Sequence, residues 1–205
     1  MVMQHHSRKE AVAPMNATTA NTLFAGLYWA WVISEIIVII LTITTRSGGQ
    51  VQDRGSLRVL WIVITASMFT GGRVAHSNFI TFHGAPWLGN LSFAIFLVGL
   101  AIRWTAIITL GRSFSVNVAI HATQTVHKTG LFRFVRHPSY SGMMLIFTAL
   151  ALRTASPPAL AIVLIPISAA LLYRIHVEET ALRGAFGSDY DDYSKATRRL
   201  IPGIY

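Results

Sequence analysis

The chain has 205 residues, of which 53% are hydrophobic and 12% charged, and its mean hydropathy is +0.51. Soluble domains carry about 25% charged residues, so this chain lacks the polar side chains that a water-facing surface needs. The composition therefore predicts an integral membrane protein, and the length predicts one membrane domain over residues 1–205. Because the sequence contains no cysteine, a disulfide scaffold and cysteine chemistry are excluded.

The apolar segments predict an all-α, polytopic membrane bundle. A spanning helix needs about 20 mostly apolar residues. A polar N-terminal tail, residues 1–21, precedes three candidate spans within residues 22–110, at 23–43, 59–82 and 87–110. In the second half, residues 111–205, a long polar stretch leads to two further spans at 140–152 and 155–173, which must form a tight hairpin. The sequence thus predicts about five transmembrane helices.

The basic residues predict the orientation of these spans. The 17 Lys and Arg against 8 Asp and Glu give a formal net charge of +9, which in a soluble protein would raise the question of nucleic acid. In a membrane protein, Lys and Arg concentrate on the cytoplasmic side. Five spans leave only Arg8, Lys9, Arg73 and Arg153 on one side and the other 13 basic residues on the opposite side. We therefore predict a multi-pass protein whose C-terminus and polar stretch before the fourth span lie in the cytoplasm, with no nucleic-acid partner.

The sharpest local feature is the run Arg136-His137-Pro138-Ser139-Tyr140-Ser141-Gly142, at the start of the fourth span. Pro138 disfavours helical backbone at His137 and pre-sets the first helical turn, so the N-terminal amides of the span are predicted to face a bound anion. The alternative is a membrane-interface cap, with Arg136 and Tyr140 as headgroup anchors.

Ionisable residues near the fifth span are the second feature. If this span continues as a helix, Arg174 and Glu178 lie one turn apart on one face. An exposed pair would contribute little to stability, but ionisable groups at a membrane boundary are commonly functional. The role of Glu35, in the first span, stays open between the bundle interior, a pair with Arg103 and an interface.

The histidines do not predict a metal site. The spacings between His121, His127 and His137, of six and ten residues, match no helical or hairpin set of metal ligands, so we predict no metal. The sequence also lacks the glycine-rich motifs of dinucleotide-binding folds and P-loops.

Two motifs resemble those of a known family. The first motif runs from Lys128 to Gly142, and the second comprises Arg174-Ile175-x-x-Glu178-Glu179, Phe186-Gly187-x-x-Tyr190-x-x-Tyr193 and Arg199-Leu200-Ile201-Pro202. With their order and spacing, residues 110–205 resemble the isoprenylcysteine carboxyl methyltransferase family. They are more loosely similar to the wider group that includes phospholipid N-methyltransferases.

This resemblance implies a membrane enzyme that binds S-adenosylmethionine without a Rossmann domain, in a cytoplasmic C-terminal cofactor-binding region. Its acceptor would be lipophilic, such as the carboxylate of a prenylated cysteine or a related lipid, and membrane lipids would be further partners. The resemblance implies Arg174 and Glu178 as catalytic residues. The cofactor-binding residues that it implies are Lys128, Gly130, Leu131, His137, Tyr140, Gly142, Glu178, Tyr193, Arg199 and Pro202.

Two other functions compete with a methyltransferase. One is an NADPH-dependent membrane reductase of the sterol-reductase type, in which a basic cluster could hold the 2′-phosphate; that cluster comprises Arg133, Arg136, Arg198 and Arg199. The other is a non-enzymatic membrane subunit. The joint presence of His137, Tyr140, Arg174 and Glu178 argues against it.

Overall fold

The computed structural model describes residues 17–44, 50–51, 55–77, 80–82, 87–114, 119–120 and 125–205. The chain divides into two compact units, Met1–Ile36 and Ile37–Tyr205. The single membrane domain that the length indicates stays a prediction.

The described residues are mostly helical, as the composition predicts. The helices are α1 (Ala17–Thr44), α2 (Ser56–His76), α3 (Trp87–Leu110), α4 (Pro138–Leu152), α5 (Pro157–Phe186) and α6 (Ser188–Ala196). Short 3-10 turns occur at Gly111–Ser113 and Gly130–Arg133. Two short strands, β1 (Gln50–Val51) and β2 (Ala119–Ile120), pair antiparallel. This pairing joins the connection that precedes α2 to the connection that follows α3.

Four of these helices, α1, α2, α3 and α5, are long and apolar enough to cross a membrane. Helix α4 is also apolar, but it has only 15 residues. The prediction of a second span that continues to residue 82 is wrong, because α2 ends at His76. The amide of Ser77 donates to Arg73 O, 3.1 Å away, and the amide of Phe82 donates to Ala155 O, 2.8 Å away. The backbone after α2 is thus bonded to the turn between α4 and α5.

Helix α5 is longer than the predicted fifth span. Ser156 caps its start by accepting a hydrogen bond from the amide of Ala159, and Pro157 occupies the first helical position, where its missing N–H costs nothing. The helix continues through Pro166 and ends at Phe186, and the next residue, Gly187, has a φ of 52°, a backbone conformation that favours glycine. Arg174 and Glu178 therefore lie on one continuous helix.

Glycines bring the helices into close contact. A Cβ added at Gly142 in α4 would lie 2.7 Å from Gly99 O in α3, and one added at Gly99 would lie 2.9 Å from Gly142 O. At Gly71 in α2, the added Cβ would lie 2.7 Å from Cγ2 of Val163 in α5. Small residues at such crossings let helix backbones approach closely. These glycines therefore allow two helix pairs to pack closely, α3 with α4 and α2 with α5.

Two ionisable residues within the spans, Glu35 and Arg103, have hydrogen-bond partners. Trp31 Nε1 donates to Glu35 Oε1 at 3.0 Å, one turn away on α1. Arg103, buried in α3, donates from Nη1 to Ser139 Oγ at 2.7 Å. Arg103 thus contacts the first turn of α4.

Candidate active site

The start of α4 is bound to the C-terminal tail, residues 197–205. Val135 and Arg198 form a parallel bridge, and the amides of Arg136 and His137 donate to Arg198 O and Arg199 O at 2.7 and 3.0 Å. These bonds place the tail along the segment that leads into α4.

The backbone in the first turn of α4 differs in one respect from the predicted anion site. His137 caps α4 and Pro138 is its first residue, as the sequence indicates. However, the amides of Tyr140 and Ser141 both donate to His137 O, at 3.0 and 3.1 Å. The prediction that the first amides of the span face an anion is therefore wrong for the amides of Tyr140 and Ser141.

Tyr140 joins the two predicted catalytic residues. Its hydroxyl donates to Glu178 Oε2 at 2.8 Å and accepts from Arg174 Nε at 3.4 Å. A hydroxyl has one donor and two acceptor positions, so it can serve both groups at once. Arg174 is 1% exposed, whereas the Glu178 side chain is 29% exposed. The result is a buried cation linked through a phenol to a carboxylate that reaches the surface.

His137 completes this cluster. Its ring stacks on Tyr140 with centroids 5.6 Å apart and planes 24° apart. Its Nδ1 lies 3.9 Å from Glu178 Oε2, and its Nε2 lies 3.5 Å from Glu179 Oε1. Nε2 is buried and makes no hydrogen bond within the described residues. The structure therefore brings His137, Tyr140, Arg174 and Glu178 into one site.

Glu179 is the buried acid beside this site. Consecutive helical residues point about 100° apart, and Glu179 accordingly faces the interior at 1% exposure. It accepts hydrogen bonds from Arg136 Nε at 2.9 Å and from Arg199 Nη2 at 3.1 Å, and it lies 3.5 Å from Arg183 Nη2. The hydrogen bonds to Glu179 raise the pKa of Arg199. Glu179 thus ties α5 to the tail and to the segment that leads into α4.

Two tyrosines of α6 lie buried next to this network. Tyr193 donates its hydroxyl to Phe132 O at 2.7 Å, and burial raises its pKa to about 12. Burial also raises the pKa of Tyr190, whose hydroxyl makes no hydrogen bond within the described residues. Both hydroxyls are therefore neutral at physiological pH.

The other predicted cofactor residues lie in different surroundings. Lys128, Gly130 and Pro202 are exposed, and Leu131 is half-buried. Gly142 packs against α3, which gives a structural reason for a glycine there. Arg199 bonds to Glu179 and, through Nη1, to the hydroxyl of Tyr205. Their cofactor roles stay predictions, as does the absence of a metal, since His121 lies outside the described residues.

The sequence does not predict the structural roles of three residues. Arg136 donates from Nη1 to Ser194 O and Thr197 O, so it holds the end of α6 in place. Glu179 lies in the second motif without a predicted role, although its position directly after Glu178 on a helix predicts a different set of partners. Ser56, whose Oγ accepts from Arg174 Nη1 at 2.5 Å, carries no sequence signal at all.

Comparison with known proteins supports one family. The model of the isoprenylcysteine carboxyl methyltransferase (ICMT) family matches residues 92–184, which include both predicted catalytic residues. This part of the chain is therefore similar to that family. The resemblance identified from the two motifs is thereby confirmed.

Curated relatives and a solved structure agree. The chain is 30% identical over 122 residues to protein-S-isoprenylcysteine O-methyltransferase A of Arabidopsis thaliana, over 58% of this chain and 61% of the relative. It is 28% identical over 120 residues to a Tribolium castaneum protein-S-isoprenylcysteine O-methyltransferase, 43% of which is covered. The chain therefore spans less than two thirds of the length of these relatives.

The fold also matches that of a solved membrane protein. The structure of a eukaryotic intramembrane Ras methyltransferase, ICMT, aligns with a TM-score of 0.61 at 24% identity, over 70% of this chain and 52% of that one. This likeness confirms the polytopic helical membrane fold. The comparisons give no support to a sterol-type reductase or to a non-enzymatic subunit.

Proposed function

We propose that this protein is an S-adenosylmethionine-dependent methyltransferase of the membrane. Its acceptor is the carboxylate of a prenylated cysteine or of a related lipophilic molecule. One observation carries the proposal: within the residues that match the family, Tyr140 links a buried Arg174 to a partly exposed Glu178. The names of the curated relatives support the same class of acceptor.

The site has groups that fit S-adenosylmethionine, which carries an ammonium, a carboxylate, a sulfonium and an adenine. Tyr140 occupies Glu178 Oε2, while Oε1 accepts no hydrogen bond among the described residues. That oxygen can bind the ammonium. The stacked rings of His137 and Tyr140 offer a flat wall.

The chain's contribution to methyl transfer is positioning and the exclusion of water. The bound cofactor supplies a methyl group on a positively charged sulfur. Arg174 places a buried positive charge one turn from Glu178, and this charge favours an anionic acceptor over a cationic amine. A carboxylate needs no general base, so a site of this kind can act by orienting and desolvating its reactants.

The helix lengths support a lipophilic acceptor. Helices α4 and α5 are joined by the turn at residues 153–156. At a rise of 1.5 Å per residue, Tyr140 lies about 18 Å along α4 and Arg174 about 26 Å along α5 from that turn. The hydrocarbon core of a membrane is about 30 Å thick. With the turn at one membrane surface, the site lies at a depth that a prenyl chain reaches from the lipid.

Transfer of a labelled methyl group tests the proposal. The purified protein should methylate a prenylated cysteine with a free carboxylate and leave its carboxamide unmodified. It should bind S-adenosylmethionine and not NADPH. Tyr140→Phe removes the hydroxyl that joins Arg174 to Glu178 and should lower kcat/KM at least about tenfold, or about 1.4 kcal/mol.

Tyr173→Phe provides the matched control, because Tyr173 lies on α5 next to Arg174 but is 44% exposed. It should keep the parent activity. Binding of NADPH in place of S-adenosylmethionine would contradict the proposal, and so would equal methylation of the carboxamide.

A further inference from the structure

Arg174 needs more than its own helix to hold it in place. Its side chain has four rotatable bonds and one of the largest rotamer entropies among the amino acids, so it must be fixed to act at a defined point. Two contacts reach it from other helices: Tyr140 from α4 at Nε, and Ser56 from α2 at Nη1. Because Arg174 is 1% exposed and Ser56 is 0% exposed, water does not compete for this second bond.

The packing of α2 on α5 determines the position of Ser56. At the far end of α2, Gly71 lies against Val163 and Ala159 of α5. Ser56 precedes Gly71 by about 22 Å of helix, and Arg174 follows Ala159 by the same length. The two helices therefore run antiparallel in register, and the first residue of α2 meets Arg174. Gly55, with a φ of 80°, turns the backbone into α2 at this point.

We propose that Ser56 is a positioning residue for the reaction and acts through Arg174. This inference rests on the proposed function. The bonds form a chain from Ser56 to Arg174, from Arg174 to Tyr140 and from Tyr140 to Glu178. The hydroxyl of Ser56 holds one end of the guanidinium so that the other end stays on Tyr140. Ser56 lies 118 residues from Arg174 and outside the residues that match the family, so the first half of the chain contributes to the site.

Ser56→Ala tests this inference, with Ser92→Ala as the control. Ser92 is also 0% exposed, but its Oγ donates to Gly89 O on the same helix. Ser56→Ala should lower kcat about tenfold or more, because small displacements of a reacting group cost large factors in rate. It should leave the Kd for S-adenosylmethionine unchanged. Ser92→Ala should keep the parent kcat, and Ser56→Thr, which restores a hydroxyl, should recover activity.

A second readout does not depend on turnover. In protein labelled with ¹⁵N-arginine, Arg174→Lys identifies the Nε–H signal of Arg174. Hydrogen exchange at this Nε–H should be faster in Ser56→Ala than in the parent and in Ser92→Ala. A parent kcat together with unchanged exchange in Ser56→Ala would overturn the inference. A parent protein without methyl transfer would instead refute the proposed function, while the exchange measurement would still test the role of Ser56.

Discussion

Two adjacent glutamates on α5 have different surroundings and, we expect, different roles. Glu178 is partly exposed and bonds to Tyr140, in the site. Glu179 is buried and is surrounded by the guanidinium groups of Arg136, Arg183 and Arg199. Truncating one member of a buried ion pair leaves its partner uncompensated, which costs about 3–5 kcal/mol. Glu179 should therefore determine stability and Glu178 activity.

The variants Glu179→Gln and Glu178→Gln test this division. Glu179→Gln should lower the free energy of unfolding by about 3 kcal/mol, because Arg136, whose side chain is 9% exposed, loses its carboxylate. Glu178→Gln should change stability by less than about 1 kcal/mol, since its carboxylate is partly solvated, yet lose S-adenosylmethionine binding. Denaturant unfolding and calorimetric titration in detergent measure both. Equal stability of the two variants would contradict the assignment.

The sequence predicts one of these two acids and not the other, for a physical reason. The spacing of Arg174 and Glu178 identifies a pair on one face of a helix. Up to Tyr173, however, α5 is apolar on all sides, so the pattern does not indicate which face meets other helices. The burial of Glu179 depends on Arg136 and Arg199, which are 43 and 20 residues away in the chain.

At the scale of elements, the crossing of α3 and α4 depends on two glycines. An alanine Cβ at Gly142 would lie 2.7 Å from both Gly99 O and Arg103 N, and backbone atoms cannot move aside as a flexible side chain does. Gly142→Ala and Gly99→Ala should therefore each destabilise the fold by about 1–3 kcal/mol. Gly89→Ala is the control, because nothing lies within 4 Å of the added Cβ. It should stabilise α3 by up to about 1 kcal/mol.

Thermal unfolding in detergent distinguishes these effects. It also addresses the cofactor role that the resemblance implies for Gly142. If Gly142 acts only by packing, Gly142→Ala and Gly99→Ala will show the same loss of stability and the same affinity for S-adenosylmethionine. A folded Gly142→Ala variant that is as stable as Gly89→Ala would disprove the steric explanation.

The existence of the long helices follows from hydropathy, but their ends do not. Hydropathy averages over many residues, whereas a helix ends where particular backbone groups find other partners. Helix α2 stops at His76, and the amide of Phe82 bonds to Ala155 instead of continuing the helix. In contrast, α5 continues to Phe186 because no residue before Gly187 terminates it, and Pro166 is accommodated within the helix.

At the scale of the whole molecule, the contacts within residues 37–205 agree with alternating connections. The hydrogen bond from Phe82 to Ala155 places the connection after α2 beside the turn between α4 and α5. At the other end, β1 pairs with β2, and Val135 pairs with Arg198. The bond between Ser56 and Arg174 belongs to this second end. No sequence pattern predicts it, because it depends on the register between two helices far apart in the chain.

The distribution of basic residues predicts that this second end faces the cytoplasm. Arg103 and Arg174 are buried among the helices and do not act as loop charges, but without them the second end still has 11 of the 17 basic residues. Lys and Arg in short loops set the orientation of membrane proteins. The C-terminal tail, α6 and the site are therefore expected on the cytoplasmic side.

Single cysteines can test this orientation, because the native chain has none. Ser188 begins α6 and His76 ends α2, both side chains are exposed, and they lie at opposite ends of the bundle. In intact cells, a membrane-impermeant maleimide should label His76→Cys and not Ser188→Cys. After permeabilisation both should react, while the parent protein, which lacks a thiol, should stay unlabelled throughout. Labelling of Ser188→Cys in intact cells, with His76→Cys protected, would reverse the orientation and place the site outside the cytoplasm.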